Sequence, residues 1–121
     1  MRLLLLEDDE RVARGVVRIA EALGHFAVHA RSVPEAKGAL QSQAFDIVIS
    51  DLGLEGGESG LDLLNWARFE YPEIRRVLTS GAIFPADYTV DPPRQEFLHK
   101  PFGRAELTAL LRRVERPPSE R

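Results

Sequence analysis

The sequence predicts an α/β fold built on a doubly wound, five-stranded parallel sheet with strand order 2-1-3-4-5. Three observations carry this expectation. Leu3 to Leu6 and Ile47 to Ile49 are unbroken apolar runs, as strands buried on both faces are. Both runs lead into acid: Glu7, Asp8 and Asp9 after the first, Asp51 after the second. Strand-like and helix-like stretches alternate five times along 121 residues. Parallel strands need such crossovers, and the crossovers are right-handed.

The elements follow in order. Leu3 to Leu6 is the first strand. From about Asp9 to Leu23 the apolar residues Val12, Val16, Ile19, Ala20 and Leu23 form a helical stripe, which Gly24 stops. The acids at its start suit the positive end of the helix dipole. Phe26 to Ala30 is the second strand. Ser32 is a candidate N-cap, with Pro34 in the first turn and Glu35 three residues on, so a short helix runs to about Gln43. The central strand ends at Asp51, and a glycine-rich loop follows it to Gly60. Ser59 or Gly60 starts a helix with Leu61, Leu64 and Ala67 on one face and Leu63 and Trp66 on its shoulder, and Pro72 closes it. Arg76 to Gly81 and Phe97 to His99 are the last strands, and a helix from about Arg104 to Glu115 buries Leu107, Leu110, Leu111 and Val114. The crossover from Ala82 to Gln95 is poor helix material. Asp91 precedes a proline, and Thr89 and Val90 are mediocre formers. A short or irregular fourth helix is expected there, within roughly residues 85 to 90 and anchored by Ile83, Phe84 and Tyr88.

Composition narrows the function. One domain, residues 1–115, and a polar tail, 116–121, account for the length. The net charge of -3 gives no electrostatic case for nucleic acid. The absence of cysteine excludes disulfides, zinc thiolates and thiol catalysis. No apolar stretch approaches membrane-spanning length, so no membrane contact is expected and a cytoplasmic location is the default.

In an open parallel sheet, ligands bind beyond the carboxyl ends of the strands. That edge would gather Glu7 and Asp8 from the first strand, Asp51 from the third, Thr79 from the fourth and Lys100 from the fifth. On its own, Asp51 could equally open a turn; its company decides against that. Three carboxylates in one crevice repel, so the site must raise a pKa or bind a cation. An all-oxygen site that leaves room for water suits Mg²⁺. With Lys100 and Mg²⁺ the formal charges close, and the set could hold a phosphoryl group on Asp51, with Thr79 donating to one oxygen.

Leu-Leu-Leu-Glu-Asp-Asp-Glu, Ile-Val-Ile-Ser-Asp-Leu, Gly-Leu-Asp-Leu-Leu, Val-Leu-Thr-Ser-Gly and Phe-Leu-His-Lys-Pro-Phe occur in that order across nearly the whole chain. Together they resemble the receiver domain of two-component response regulators, which implies the flavodoxin-like receiver fold. The resemblance implies that Asp51 is the phosphoacceptor. It implies that Asp8, Asp51 and the backbone carbonyl of Gly53 ligate Mg²⁺, with Glu7 acting through water. Thr79 and Lys100 would contact the phosphoryl group, Phe97 would be the switch aromatic, and the Lys100–Pro101 bond would be cis. Asp9 would belong to the helix start. The implied partners are a sensor histidine kinase or phosphotransfer protein and a downstream protein target, with the domain a monomer or weak dimer. It would be a signalling phosphoacceptor and not an enzyme, catalysing only its own phosphotransfer and slow dephosphorylation, with no output domain in this chain.

Two features depart from the family pattern. Glu55 or Gly56 stands where the family commonly has a proline, in a loop that reads one residue longer. The crossover before the last strand has lost good helix formers. Other residues read blandly. His25, His29 and His99 lack metal spacing, Trp66 reads as packing, and Arg75 and Arg76 read as a solvated pair. The glycine loop lacks the Lys-Ser/Thr of a P-loop. A phosphatase of the haloacid dehalogenase type needs an acid two residues after its aspartate, where Gly53 stands and cannot transfer a proton. The remaining alternative is a degenerate receiver acting as a phosphorylation-independent interaction module.

Overall fold

A computed structural model describes residues 1–55, 59–82, 85 and 88–115. The elements are β1 (Arg2–Leu6), α1 (Glu10–Ala22), β2 (Phe26–Ala30), α2 (Val33–Ser42), β3 (Ile47–Asp51), α3 (Gly60–Glu70), β4 (Arg75–Ser80), β5 (Gln95–His99) and α4 (Arg104–Glu115). The strands form one sheet in the order β2-β1-β3-β4-β5, and every pairing is parallel. This is the predicted architecture.

Strand alternation divides the core in two. Leu3, Leu5, Ile47, Ile49 and Val77 face α1 and α4, meeting Val16, Leu107 and Leu111. Leu4, Leu6, Val48 and Leu78 face α2 and α3, meeting Leu40, Leu63 and Leu64. A continuous apolar run is therefore what a strand covered on both faces requires. The helix starts are capped as the side chains dictate: Asp9, Ser32 and Ser59 each accept from amides of the first turn. Gly24 follows α1 with φ 89°, a left-handed conformation that suits glycine. α4 is tied to the edge strand by Arg113, whose Nε and Nη2 donate to the two Glu96 carboxylate oxygens at 3.0 and 2.8 Å.

Among the described residues of the β4–β5 crossover none is helical. Of the expected anchors, Tyr88 is buried and its hydroxyl donates to the Glu96 carbonyl at 2.7 Å. Ile83 and Phe84 lie outside the described residues, as do 86, 87 and the expected tail, 116–121. Arg76 corrects the sequence reading. It is 5% exposed and no part of a solvated pair. β4 begins at Arg75 and pairs Arg76 with Gln95, so alternation puts Arg76 on the face of Leu78, inside the ladder.

Candidate functional site

Asp51 is the last residue of β3 and is 6% exposed. The β3–β4 register sets it directly beside Thr79, and the Leu52 amide donates to the Thr79 carbonyl at 2.9 Å. The helix that follows the loop presses against this strand end. The Ser50 hydroxyl donates to the Gly60 carbonyl at 2.9 Å, and a Cβ on residue 60 would lie 1.8 Å from the Asp51 carbonyl oxygen. Only glycine lets the first turn of α3 come this close.

Glu7 sits just past β1 and is 1% exposed. Its Oε1 accepts from Lys100 Nζ at 2.7 Å and its Oε2 from the Asp9 amide at 3.2 Å. Lys100 Nζ also lies 3.2 Å from Asp51 Oδ1. The Lys100 amide donates to the Ser80 carbonyl at 2.9 Å, which fixes the lysine at the end of the sheet, and its bond to Pro101 is cis. Asp8 is half-buried, and its Oδ2 accepts from the Glu55 amide at 2.7 Å. Glu7, Asp8 and Asp51 each offer an oxygen within 4.8 Å of the others.

Burial pushes the Glu7 carboxyl up, and the hydrogen bonds from Lys100 and the Asp9 amide only partly offset it. Burial pushes Lys100 down, but Glu7 and Asp51 more than reverse this, so its net direction is up. A simple ion pair would lower its acid, and here the acid rises. The charged lysine is the firmer member, because two carboxylates share it and its side chain keeps 22% exposure against 2% for Glu7. Three acids against one lysine leave a deficit of positive charge in a crevice of oxygen donors. That donor set fits Mg²⁺, which takes few carboxylates and keeps waters.

The other predicted residues are placed around this cluster. Gly53 lies in the loop beyond Asp51 and bridges to Ser59. Phe97 pairs in register with Leu78 and packs on the α2/α3 side, its ring 6.2 Å from that of His99. Asp9 caps α1 through its Oδ1, at 2.9 Å from the Arg11 amide and 3.3 Å from the Val12 amide. Three contributors were not foreseen. His29 Nε2 donates to the Glu7 carbonyl at 2.6 Å, and could have been found only from the β1–β2 register. The Glu55 amide reaches Asp8 across the loop. The Ser50–Gly60 contact had one trace in the sequence, a lone hydroxyl closing an apolar run.

A parallel sheet in the order 2-1-3-4-5 with an acidic crevice at its carboxyl edge defines the flavodoxin-like class of doubly wound α/β folds. Residues 3–112 match the family model for the response regulator receiver domain, and the chain belongs to that family. It is 31% identical over 118 residues to the transcriptional regulatory protein VxrB of Vibrio cholerae, covering 96% of this chain and 46% of that protein. The swarming motility regulation protein RssB of Serratia marcescens is also 31% identical, over 96% of this chain and 53% of its own length. The chain thus spans about half the length of these relatives. Among solved structures, the receiver domain of an HD domain-containing protein from Pseudomonas fluorescens superposes with a TM-score of 0.84 at 26% identity, covering 94% of this chain and 93% of that one. The chemotaxis response regulator CheY4 of Vibrio cholerae gives 0.80 at 21% identity over 93% of this chain and 97% of its own, a likeness of fold. No helix among the described residues is long and apolar enough to cross a membrane.

Proposed function

We propose that this domain accepts a phosphoryl group on Asp51 from the phosphohistidine of a sensor histidine kinase or phosphotransfer protein, and that the modification switches a protein-binding surface. The observation that carries the reading is the Asp51 carboxylate at the end of β3, 3.2 Å from Lys100 Nζ and clustered with Glu7 and Asp8. An Asp51 oxygen attacks phosphorus, the P–N bond of the donor breaks, and its electron pair returns to the imidazole. Asp8, Asp51 and the Gly53 carbonyl would hold Mg²⁺, with Glu7 reaching it through water. When bound, Mg²⁺ supplies positive charge to the phosphoryl oxygens.

Lys100 then donates to a phosphoryl oxygen in place of Asp51 Oδ1, while Glu7 keeps it charged and aimed. The Thr79 hydroxyl donates to another oxygen. Phe97, one register step away on β5, follows Thr79 and carries the change to the crossover face. An apolar groove of about 560 Å³ opens beside Lys100, between α1 and the β5–α4 loop, lined by Val12, Val16, Pro101 and Phe102. It suits the phosphohistidine donor, which has to approach Asp51 from that side.

On this reading the domain is a signalling phosphoacceptor, limited to its own phosphotransfer and slow dephosphorylation. It works in the cytoplasm, where ATP charges such kinases, as a monomer or weak dimer. The transcriptional and motility regulators it resembles are about twice this length, and the proposed target here is a protein. The test is phosphotransfer from a panel of charged histidine kinases. Label should reach the wild type with Mg²⁺, and neither the EDTA-treated protein nor Asp51→Asn. Failure of every donor, with Mg²⁺ still bound, would favour the phosphorylation-independent interaction module.

A further inference from the structure

We infer that the amino edge of β4 and β5, opposite the acidic crevice, binds a small phosphate-bearing anion. A cavity of about 580 Å³ opens there, lined by Arg68, Glu73, Arg75, Arg76, Asp91 and Arg94. Four guanidinium groups face two carboxylates. At its back stands Arg76, 5% exposed, and burial pushes its guanidinium down.

Every hydrogen bond that holds Arg76 ends on a neutral oxygen. Nε donates to Gln95 Oε1 at 2.9 Å, and Nη1 donates to the carbonyls of Ile74 at 2.7 Å and Pro72 at 3.5 Å. Gln95 is itself oriented, its amide nitrogen donating to the Thr89 carbonyl at 2.6 Å, so its carbonyl oxygen is locked toward the arginine. Among the described residues Arg76 has no ion-pair partner. Arg113, by contrast, is matched by the buried carboxylate of Glu96. A buried charge costs stability unless it is paired. Asp91 lines the same cavity and attracts Arg76 without forming an ion pair, while Arg68 and Arg94 repel it, so the cleft keeps an excess of positive charge. A smaller cavity of about 80 Å³ adjoins, lined by Arg68, Arg76, Thr89, Asp91 and Gln95.

The guanidinium fork matches phosphate oxygens in pairs. The cavity is of small-molecule size and concave about one buried arginine, which suits a compact multiply charged anion better than an extended acidic chain. It joins the end of α3, the start of β4 and the turn before β5, so an occupant would brace the crossover from the edge away from Asp51.

The test is a ¹⁵N NMR titration of the full chain with sodium pyrophosphate, in EDTA and at constant ionic strength, so that the metal-dependent edge stays silent. Saturable shifts are expected at the backbone amides of residues 73–76 and of Asp91, Arg94 and Gln95. The double variant Arg68→Gln/Arg94→Gln changes exposed side chains only, and its thermal melt checks that it is folded. It should weaken binding about tenfold or more. The inference is overturned if those amides do not shift saturably or if the double variant binds as the wild type does. It is equally overturned if sodium chloride reproduces the shifts, or if an oligoglutamate peptide binds more tightly than pyrophosphate.

Discussion

At the carboxyl edge of the sheet Glu7, Asp8 and Asp51 crowd round a single lysine, whereas at the amino edge four arginines face Glu73 and Asp91. Part of this sorting follows from the fold. Each crossover helix starts at the carboxyl edge and ends at the amino edge, so its dipole favours acids at one and cations at the other. Glu10, Glu35, Asp62 and Glu106 lie in first turns, and Arg68, Arg112 and Arg113 in last turns. The dipole does not explain why each edge stays unbalanced at its buried centre. Among the described residues, Glu7 is buried beside one lysine and two further acids, and Arg76 is buried with no ion-pair partner. The lesson is that uncompensated buried charge, and not charge alone, separates a binding edge from a solvated one.

The largest way to break the carboxyl edge is to push α3 off it. Gly60→Ala would place a methyl 1.8 Å from the Asp51 carbonyl oxygen. We expect a loss of more than about 3 kcal/mol in urea unfolding, while Gly38→Ala, whose Cβ would meet nothing within 4 Å, should gain about 0.5–1 kcal/mol. Equal tolerance of the two would show that the strand end and the helix are not locked together.

Removing Lys100 comes next. Lys100→Ala strands the Glu7 carboxylate, which is 2% exposed at its side chain. In metal-free buffer this should cost about 3 kcal/mol, and Mg²⁺ should bind the variant nearly as well as the wild type and restore much of the loss. A collapse of Mg²⁺ affinity would mean that the lysine organises the metal site and not the phosphoryl site.

The smallest effect is at the amino edge. His25 is 8% exposed, and its Nδ1 lies 2.9 Å from the Met1 amine. Burial, then the neighbouring ammonium, pushes its pKa below the ordinary 6.5. The unfolded chain therefore takes up the proton first. The contribution to stability is complete above pH 6.5 and is lost as pH falls through the lower folded value. His25→Gln should flatten that part of the stability profile, read by chemical denaturation across the range. An unchanged profile would show that His25 titrates normally.

The frame was legible because strands covered on both faces leave continuous apolar runs, as Leu3 to Leu6 and Ile47 to Ile49 do. The four side chains that meet, Glu7, Asp8, Asp51 and Lys100, were legible because each closes or follows such a run, and strand ends share an edge. Contacts made through backbone atoms were not. Nothing in the residue types shows that the Glu55 amide reaches Asp8 or that His29 reaches the Glu7 carbonyl. Arg76 was misread because two adjacent arginines look solvated, whereas strand alternation sends one of them inward. The cleft it backs draws on α3, β4 and the turn before β5, and no local pattern joins them.

The central claim is that Asp51 and no other acid of the carboxyl edge takes the phosphoryl group. It is tested most directly by incubating the wild type and Asp51→Asn with acetyl phosphate and Mg²⁺, then trapping and mapping the modified residue by mass spectrometry. The account predicts one acyl phosphate per chain, on Asp51, lost in Asp51→Asn and absent in EDTA. Efficient labelling of Asp51→Asn, or a phosphoryl group mapped to Glu7 or Asp8 in the wild type, would contradict it.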